Sequence, residues 1–287
     1  MRPTLPQPVS LPTLGLGLRS AHFAQILGDR PSVGWFEALT ENYLDTGGRP
    51  RAVLREVASR YPVALHGVAL SIGSADRLDL TYLRRLRDLA EEIGAAYVSD
   101  HLSWSSIGGR PLHELLPIPY TERTLRHVVS RVKRVQDVLG RPFALENPSS
   151  YVAYRESRIP EAQFLARVAL ESGCGILLDI NNIYVNSVNH GFDARSYLAE
   201  IPMERVVYCH MAGHTRYATH ILDTHGGPVA EPVWELLGEA ASRRADLPVL
   251  LEWDDAIPPF SVALQELRKA ARYVRVNRRK KVVHAAA

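Results

Sequence analysis

A chain of 287 residues with 46% hydrophobic and 23% charged side chains has the composition of a soluble globular protein with a sizeable core. The length suits one (β/α)8 barrel, typically about 250 residues before insertions, and does not force two domains. A net charge of +3, much of it in Arg278–Lys281, announces no broad basic surface and argues against nucleic acid; no run reaches transmembrane length, so no membrane partner is expected. The two cysteines, Cys174 and Cys209, are too few for a disulfide framework and suit a reducing, cytoplasmic setting.

Residues 1–12 carry Pro3, Pro6, Pro8 and Pro12 without an apolar run, which reads as an extended arm rather than a signal peptide. Leu14–Leu18 reads as a first strand, with Ser20 expected to cap the turn that follows. Gly34–Leu39 is a buried strand feeding the polar pair Glu41-Asn42, and a helix over Arg49–Arg60 leads to the strand Pro62–His66. Leu83, Leu86, Ala90 and Ile93 recur at helical spacing within 77–94, closed by Gly94, before the strand Tyr97–His101. The stretch Leu102–Tyr120, with Gly108-Gly109 and three prolines, is expected to be a long functional loop. Thr121–Gly140 is the clearest helix, with Thr121 as its cap, and Pro142–Glu146 follows as a strand.

A helix over Pro160–Ser172 precedes the strand Gly175–Asp179, whose continuation Ile180-Asn181-Asn182 is polar. Val206–His210 is the seventh strand; beyond it, an extended backbone over Asp223-Thr224-His225 would put both ligand-type side chains on one face. Helices near 231–242 and 261–274 bracket the last strand, Pro248–Trp253. Eight strand-like runs alternating with helices imply a parallel sheet with helices outside, and at this length a closed α/β barrel of one domain over 13–276. No glycine-rich dinucleotide fingerprint follows the first strand. The basic stretch 277–287 is expected to be a disordered tail.

His66, His101, Glu146, Asp179, His210 and Glu252 all stand at strand ends, where barrels of this kind build their functional sites. Alternation points Tyr208 and His210 inward and Cys209 toward the helices; Ala64 and Ala144 leave room beneath His66 and Glu146. So many carboxylates and imidazoles in one mouth are costly unless cations neutralise them. With Asp223, His225 and Asn182 there are nine candidates, more than one ion can use. Nitrogen and oxygen ligands without cysteine suit zinc, manganese and iron alike. His214, four residues past His210, is a candidate ligand, general acid/base or partner holding His210. His22 and Glu37 are expected near the mouth without binding metal, and His113, His127, His190, His220 and His284 are read as solvated.

The segments LHGVALSIGS (65–74), SDHLSW (99–104), LENPSSY (145–151), LLDINNIYVNSVNHGF (177–192), CHMAGH (209–214), DTHGGPV (223–229) and LLEWD (250–254) resemble the multinuclear non-heme iron-dependent oxidative enzymes, as does WFEALTENY (35–43). The likeness runs from about Gly15 to Val274. It implies a barrel of the xylose isomerase-like and endonuclease IV-like superfamily holding two or three irons of mixed Fe(II)/Fe(III) state. Such an enzyme uses dioxygen to modify cysteines of a ribosomally made precursor peptide, in natural-product or metallophore maturation, commonly with a partner protein that presents the peptide.

Carried over, His66, His101 and Glu146 would hold one iron, and Asp179, His210 and Glu252 a second, with Glu146 bridging. Asn182, Asp223 and His225 match an outer third position. Endonuclease IV-type zinc enzymes have a histidine where this chain has Asn182, which disfavours the nuclease reading. Two rivals stand beside the oxygenase: a zinc- or manganese-dependent hydrolase or isomerase on the same barrel, and a metal-loaded barrel that binds and escorts a peptide without catalysis.

Overall fold

The strands of this chain read as two stacked layers because side chains two residues apart share a face. In the computed structural model, which describes residues 10–284, Trp35, Ala64, Ala144, Leu177, Tyr208 and Leu250 form one apolar cluster inside the barrel. Two residues further along the same strands stand Glu37, His66, Glu146, Asp179, His210 and Glu252. The interior therefore changes from apolar to ionisable within one side-chain step, at the C-terminal end of the strands.

The barrel strands are β1 (Leu14–Gly17), β2 (Trp35–Leu39), β3 (Val63–Gly67), β4 (Val98–His101), β7 (Ala144–Glu146), β8 (Gly175–Asp179), β9 (Val206–Met211) and β12 (Val249–Leu251). They pair in the order β1-β12-β9-β8-β7-β4-β3-β2 and close, as the alternation of strands and helices predicts. Cys209 belongs to the outer layer between strands and helices, with Leu83, Leu86, Val128 and Val132 from the surrounding helices. Among the described residues no helix is long and apolar enough to cross a membrane.

Gly15 shows why β1 is glycine-rich. A Cβ there would lie 2.2 Å from the Trp35 indole, which fills the barrel floor. Gly15→Ala is expected to destabilise the protein by about 1–3 kcal/mol through overpacking, read as a lower urea midpoint at unchanged slope.

Several local expectations are corrected. The stretch 102–120 is not an open loop but carries a hairpin of β5 (Trp104–Ile107) and β6 (Arg110–Leu116). Gly108 and Gly109, with φ of 59° and 72°, make the two-residue turn that only left-handed positions allow. Ser20 does not cap; it opens a 3-10 turn, Ser20–His22, whose N-cap position is Arg19 and has no side-chain cap bond. Ile180-Asn181-Asn182 is the first turn of a helix, Ile180–His190, because Asp179 caps it directly. Thr121 caps the helix Glu122–Leu139 by accepting from the Thr124 amide, as expected.

The last helix runs Phe260–His284, so the basic stretch continues a helix up to 284; no glycine or proline interrupts 274–284. Residues 1–9 of the expected arm and 285–287 of the expected tail lie outside the described residues.

Candidate metal centre

The barrel closes the strand ends onto one another, and the ligand candidates meet in overlapping groups of three. His66, His101 and Glu146 bring one ligand atom each within 4.8 Å of one another, as do Glu37, His210 and Glu252, Glu146, Asp179 and His210, and Asp179, His225 and Glu252, so Glu37, expected only to line the mouth, also comes within ligand range. Glu146 is the hub. Its Oε2 lies 3.0 Å from His66 Nε2 and 3.1 Å from His101 Nε2, while its Oε1 lies 3.4 Å from His210 Nδ1. His210 Nδ1 also faces Glu252 Oε2 at 3.0 Å and Asp179 Oδ2 at 3.9 Å. Glu252 and Asp179 then reach His225, whose Nδ1 is 3.1 Å from Glu252 Oε2 and whose Nε2 is 3.7 Å from Asp179 Oδ2.

Asp223 and His225 do meet, with Nε2 2.9 Å from Asp223 Oδ1, but not through an extended backbone. The short strand β11 (Ile221–Leu222), paired with β10 (Thr215–Arg216), ends before them, and His225 sits at φ 45°. Its carbonyl accepts from the Asp254 amide, and Gly226 bridges Asp255, so the strain of this left-handed residue is held by the segment after β12. Asn182 is oriented by its amide nitrogen, which donates to the Asn147 carbonyl at 3.1 Å and leaves Oδ1 toward the centre.

At the centre, the buried atoms left without partners are those a metal would take. Both oxygens of Glu146, Asp179 Oδ2, Asn182 Oδ1, both ring nitrogens of His210 and His225 Nε2 are buried without a hydrogen-bond partner. Buried polar atoms left unpaired in this way cost free energy that a cation would return. All are nitrogen or oxygen, the donors that zinc, manganese and iron take. The residues fit a multinuclear centre.

Charge tells the same story. Burial alone would lift Glu146, but the imidazoles of His101, His210 and His66 outweigh it and hold the carboxyl well below the usual range. Burial would lower His66, yet the Glu146 carboxylate raises it to about 9. Burial pushes Asp179 well above the usual carboxylate range, with Glu146 and Asp223 adding to it against His225. Carboxylates and imidazoles thus offset one another's charge across the centre. Below about pH 9 an incoming ion must displace the proton on His66, so apparent affinity is expected to rise with pH up to that point. Titration calorimetry in buffers of different ionisation enthalpy should show proton release at about pH 7.5; uptake without release would contradict this.

Supporting groups surround the ligands. Asn147 clamps the Asp179 backbone, accepting from its N–H and donating to its carbonyl, both at 2.9 Å. Arg19 donates to Glu252 Oε1 at 3.1 Å and to the Trp253 carbonyl at 3.0 Å, and pairs with Asp254. Sequence spacing singles out neither Asn147 nor Arg19, although Asn147 follows Glu146 directly.

His214 lies outside every three-residue group and does not hold His210. Its Nδ1 contacts Asn181 Oδ1 at 2.8 Å, and Asn181 donates on to Asp223, also at 2.8 Å. Burial, reinforced by Arg216, keeps the half-buried ring below its ordinary pKa. His22 is buried away from the ligands, with Nε2 2.9 Å from the Pro258 carbonyl. His127 and His190 are not simply solvated: they contact the Ser74 carbonyl and Ser150, each at 2.9 Å. His113 and His220 are exposed, and the His284 side chain lies outside the described residues.

The mouth opens as a cavity of about 460 Å³ lined by Arg19, His66, His101, Asn182, His225 and Glu252. Beside it, sharing Val68, Leu115, Ser149 and Asp223, a groove of about 840 Å³ runs between the β5–β6 hairpin and residues 149–152. Tyr151 and Val152 leave much apolar surface exposed along it.

Fold and site define a (β/α)8 barrel with clustered metal-ligand residues in its mouth. A D-tagatose 3-epimerase-like protein superposes with a TM-score of 0.62 at 15% identity over 93% of this chain and 99% of its own. Endonuclease IV from Thermus thermophilus gives 0.59 at 15% identity, over 92% and 99%. Within that class, residues 13–275 match the family described as RiPP precursor modification enzyme MbnB/TglH/ChrH, and the chain belongs to this family, the multinuclear non-heme iron-dependent oxidative enzymes. The UPF0276 protein Anae109_1558 of Anaeromyxobacter sp. (strain Fw109-5) is 53% identical over 257 residues, covering 90% of this chain and 91% of that protein.

Proposed function

We propose that this protein is an iron-dependent oxidative enzyme that uses dioxygen to modify cysteine residues of a ribosomally synthesised precursor peptide. The observation that carries the reading is the chain of three-residue ligand groups joined through Glu146, His210 and Asp179, buried in the mouth of a barrel from a peptide-modifying family. His66, His101 and Glu146 hold one ion, and Asp179, His210 and Glu252 a second beside the same Glu146. Asn182, Asp223 and His225 form an outer position that an amide ligand makes weaker. Iron bound there supplies one-electron chemistry with dioxygen and a position for a substrate thiolate.

The chain's own groups do the rest. Arg19 offsets the charge of Glu252 and Asp254 at the rim. The 460 Å³ cavity accepts the reacting residue and limits water, and the apolar groove beside it takes flanking peptide. His214, tied through Asn181 to Asp223, acts as a general base at the outer edge, the role its lowered pKa suits. A partner protein that presents the peptide, and a cytoplasmic setting in which Cys174 and Cys209 stay free and buried, belong to the same reading.

The test is to purify the protein anaerobically, measure its metals, record Mössbauer spectra, and incubate it with oxygen and the cysteine-containing peptide encoded beside it. Iron at two or three per chain and a changed peptide mass are expected. Zinc alone in active enzyme would refute the iron assignment, and an unchanged mass with binding intact would make the protein an escort.

A further inference from the structure

Beneath the ligands runs a line of buried polar contacts joining two halves of the centre. His66 Nδ1 lies 2.9 Å from Ser99 Oγ, and Ser99 Oγ lies 3.0 Å from the Tyr208 hydroxyl. Tyr208 donates to Glu37 Oε2 at 2.5 Å, and Glu37 Oε1 lies 2.8 Å from His210 Nε2. All five residues are buried, and they come from β2, β3, β4 and β9.

Counting protons along the line gives it a direction. Tyr208 spends its one hydrogen on Glu37. Its oxygen can then only accept from Ser99, whose hydroxyl also lies 3.4 Å from the Leu65 carbonyl, and Ser99 Oγ in turn accepts from His66 Nδ1–H. From the other side, His210 Nε2 lies 2.8 Å from Glu37 Oε1, a close ionic contact without hydrogen-bond geometry. Both histidines thus turn one nitrogen toward this line, and the nitrogen left to each for a metal is the opposite one. Those nitrogens, His66 Nε2 and His210 Nδ1, are the ones that face Glu146, at 3.0 and 3.4 Å.

We infer that Glu37 is a positioning residue for both halves of the metal centre: one buried carboxylate sets the tautomer of His210 by contact and that of His66 across Tyr208 and Ser99. A histidine's metal-binding nitrogen is set by what its other nitrogen meets, and here one carboxylate stands behind two. Glu37 also comes within ligand range of His210 and Glu252, yet it meets His210 from the side opposite the other carboxylates. It lies on the Nε2 side of His210, whereas Glu146, Asp179 and Glu252 lie on the Nδ1 side.

The inference rests on the metal part of the proposed function and not on its peptide chemistry, so the test uses metal alone. Full-length protein stripped of metal is titrated anaerobically with ⁵⁷Fe(II), reading iron bound per chain and the Mössbauer doublets. Glu37→Gln should weaken iron binding about 10–100-fold and shift the doublets of both inner ions. Tyr208→Phe and Ser99→Ala, which cut the line at separate points, should shift one doublet and leave the other as in wild type. A Glu37→Gln spectrum altered at one ion only, or not at all, overturns the inference while leaving the iron reading intact. Wild-type protein that takes up no iron overturns the iron reading itself. Should Glu37→Gln fail to fold, the Tyr208 and Ser99 variants decide alone: the same single doublet must move in both, and unrelated changes or none overturn the inference.

Discussion

Asp179→Ala is expected to lose its iron and its turnover together. One oxygen of this carboxylate caps the helix Ile180–His190, accepting from the Asn182 amide at 2.6 Å, and the other is buried in the centre without a partner. Alanine removes both, costing about 1 kcal/mol for the cap and, at the centre, more than the roughly 10–100-fold that an outer partner is worth. Asp179→Asn separates the two roles, because it retains an oxygen for the cap but not the charge. His101→Ala should give the same loss of iron and activity with no cap to break. His127→Ala, whose ring contacts the Ser74 carbonyl outside the centre, should leave both near normal. Metal content by mass spectrometry and peptide turnover check this set; full iron and full turnover in Asp179→Ala or His101→Ala would refute the assignment.

Glu146→Gln should empty both inner positions and also destabilise the metal-free protein. Its two oxygens face three imidazoles at 3.0 to 3.4 Å, so a neutral amide leaves buried positive charge uncompensated. Breaking a buried pair in this way costs about 3–5 kcal/mol. The pH dependence follows from His66, raised from 6.5 to about 9 chiefly by Glu146 against the cost of burial. A raised folded-state pKa contributes stability that is fully present below the unfolded value and is lost as pH rises through the folded one. The gap between wild type and Glu146→Gln should therefore be widest below pH 6.5 and shrink toward about pH 9. Urea unfolding of metal-free protein across that range measures it, and a gap that grows with pH would exclude this account.

By itself the sequence determined the barrel and the roll of candidate ligands, because both follow from periods that survive without neighbours. Helical spacing and strand alternation fix which side chains face inward, and a ligand at the end of a strand is visible as a polar residue closing an apolar run. Only the tertiary structure decided how those residues are joined. Glu37, Ser99 and Tyr208 lie on three strands far apart in sequence, and their line exists only because the barrel brings β2, β4 and β9 to the same level.

The same holds for His225, which reaches Asp223 through a left-handed turn that contacts after β12 hold in place, and for Arg19, which crosses to Glu252 and Asp254. Alternation encodes direction, one residue at a time. Distance between side chains on different strands depends on closure and register, which no local period carries.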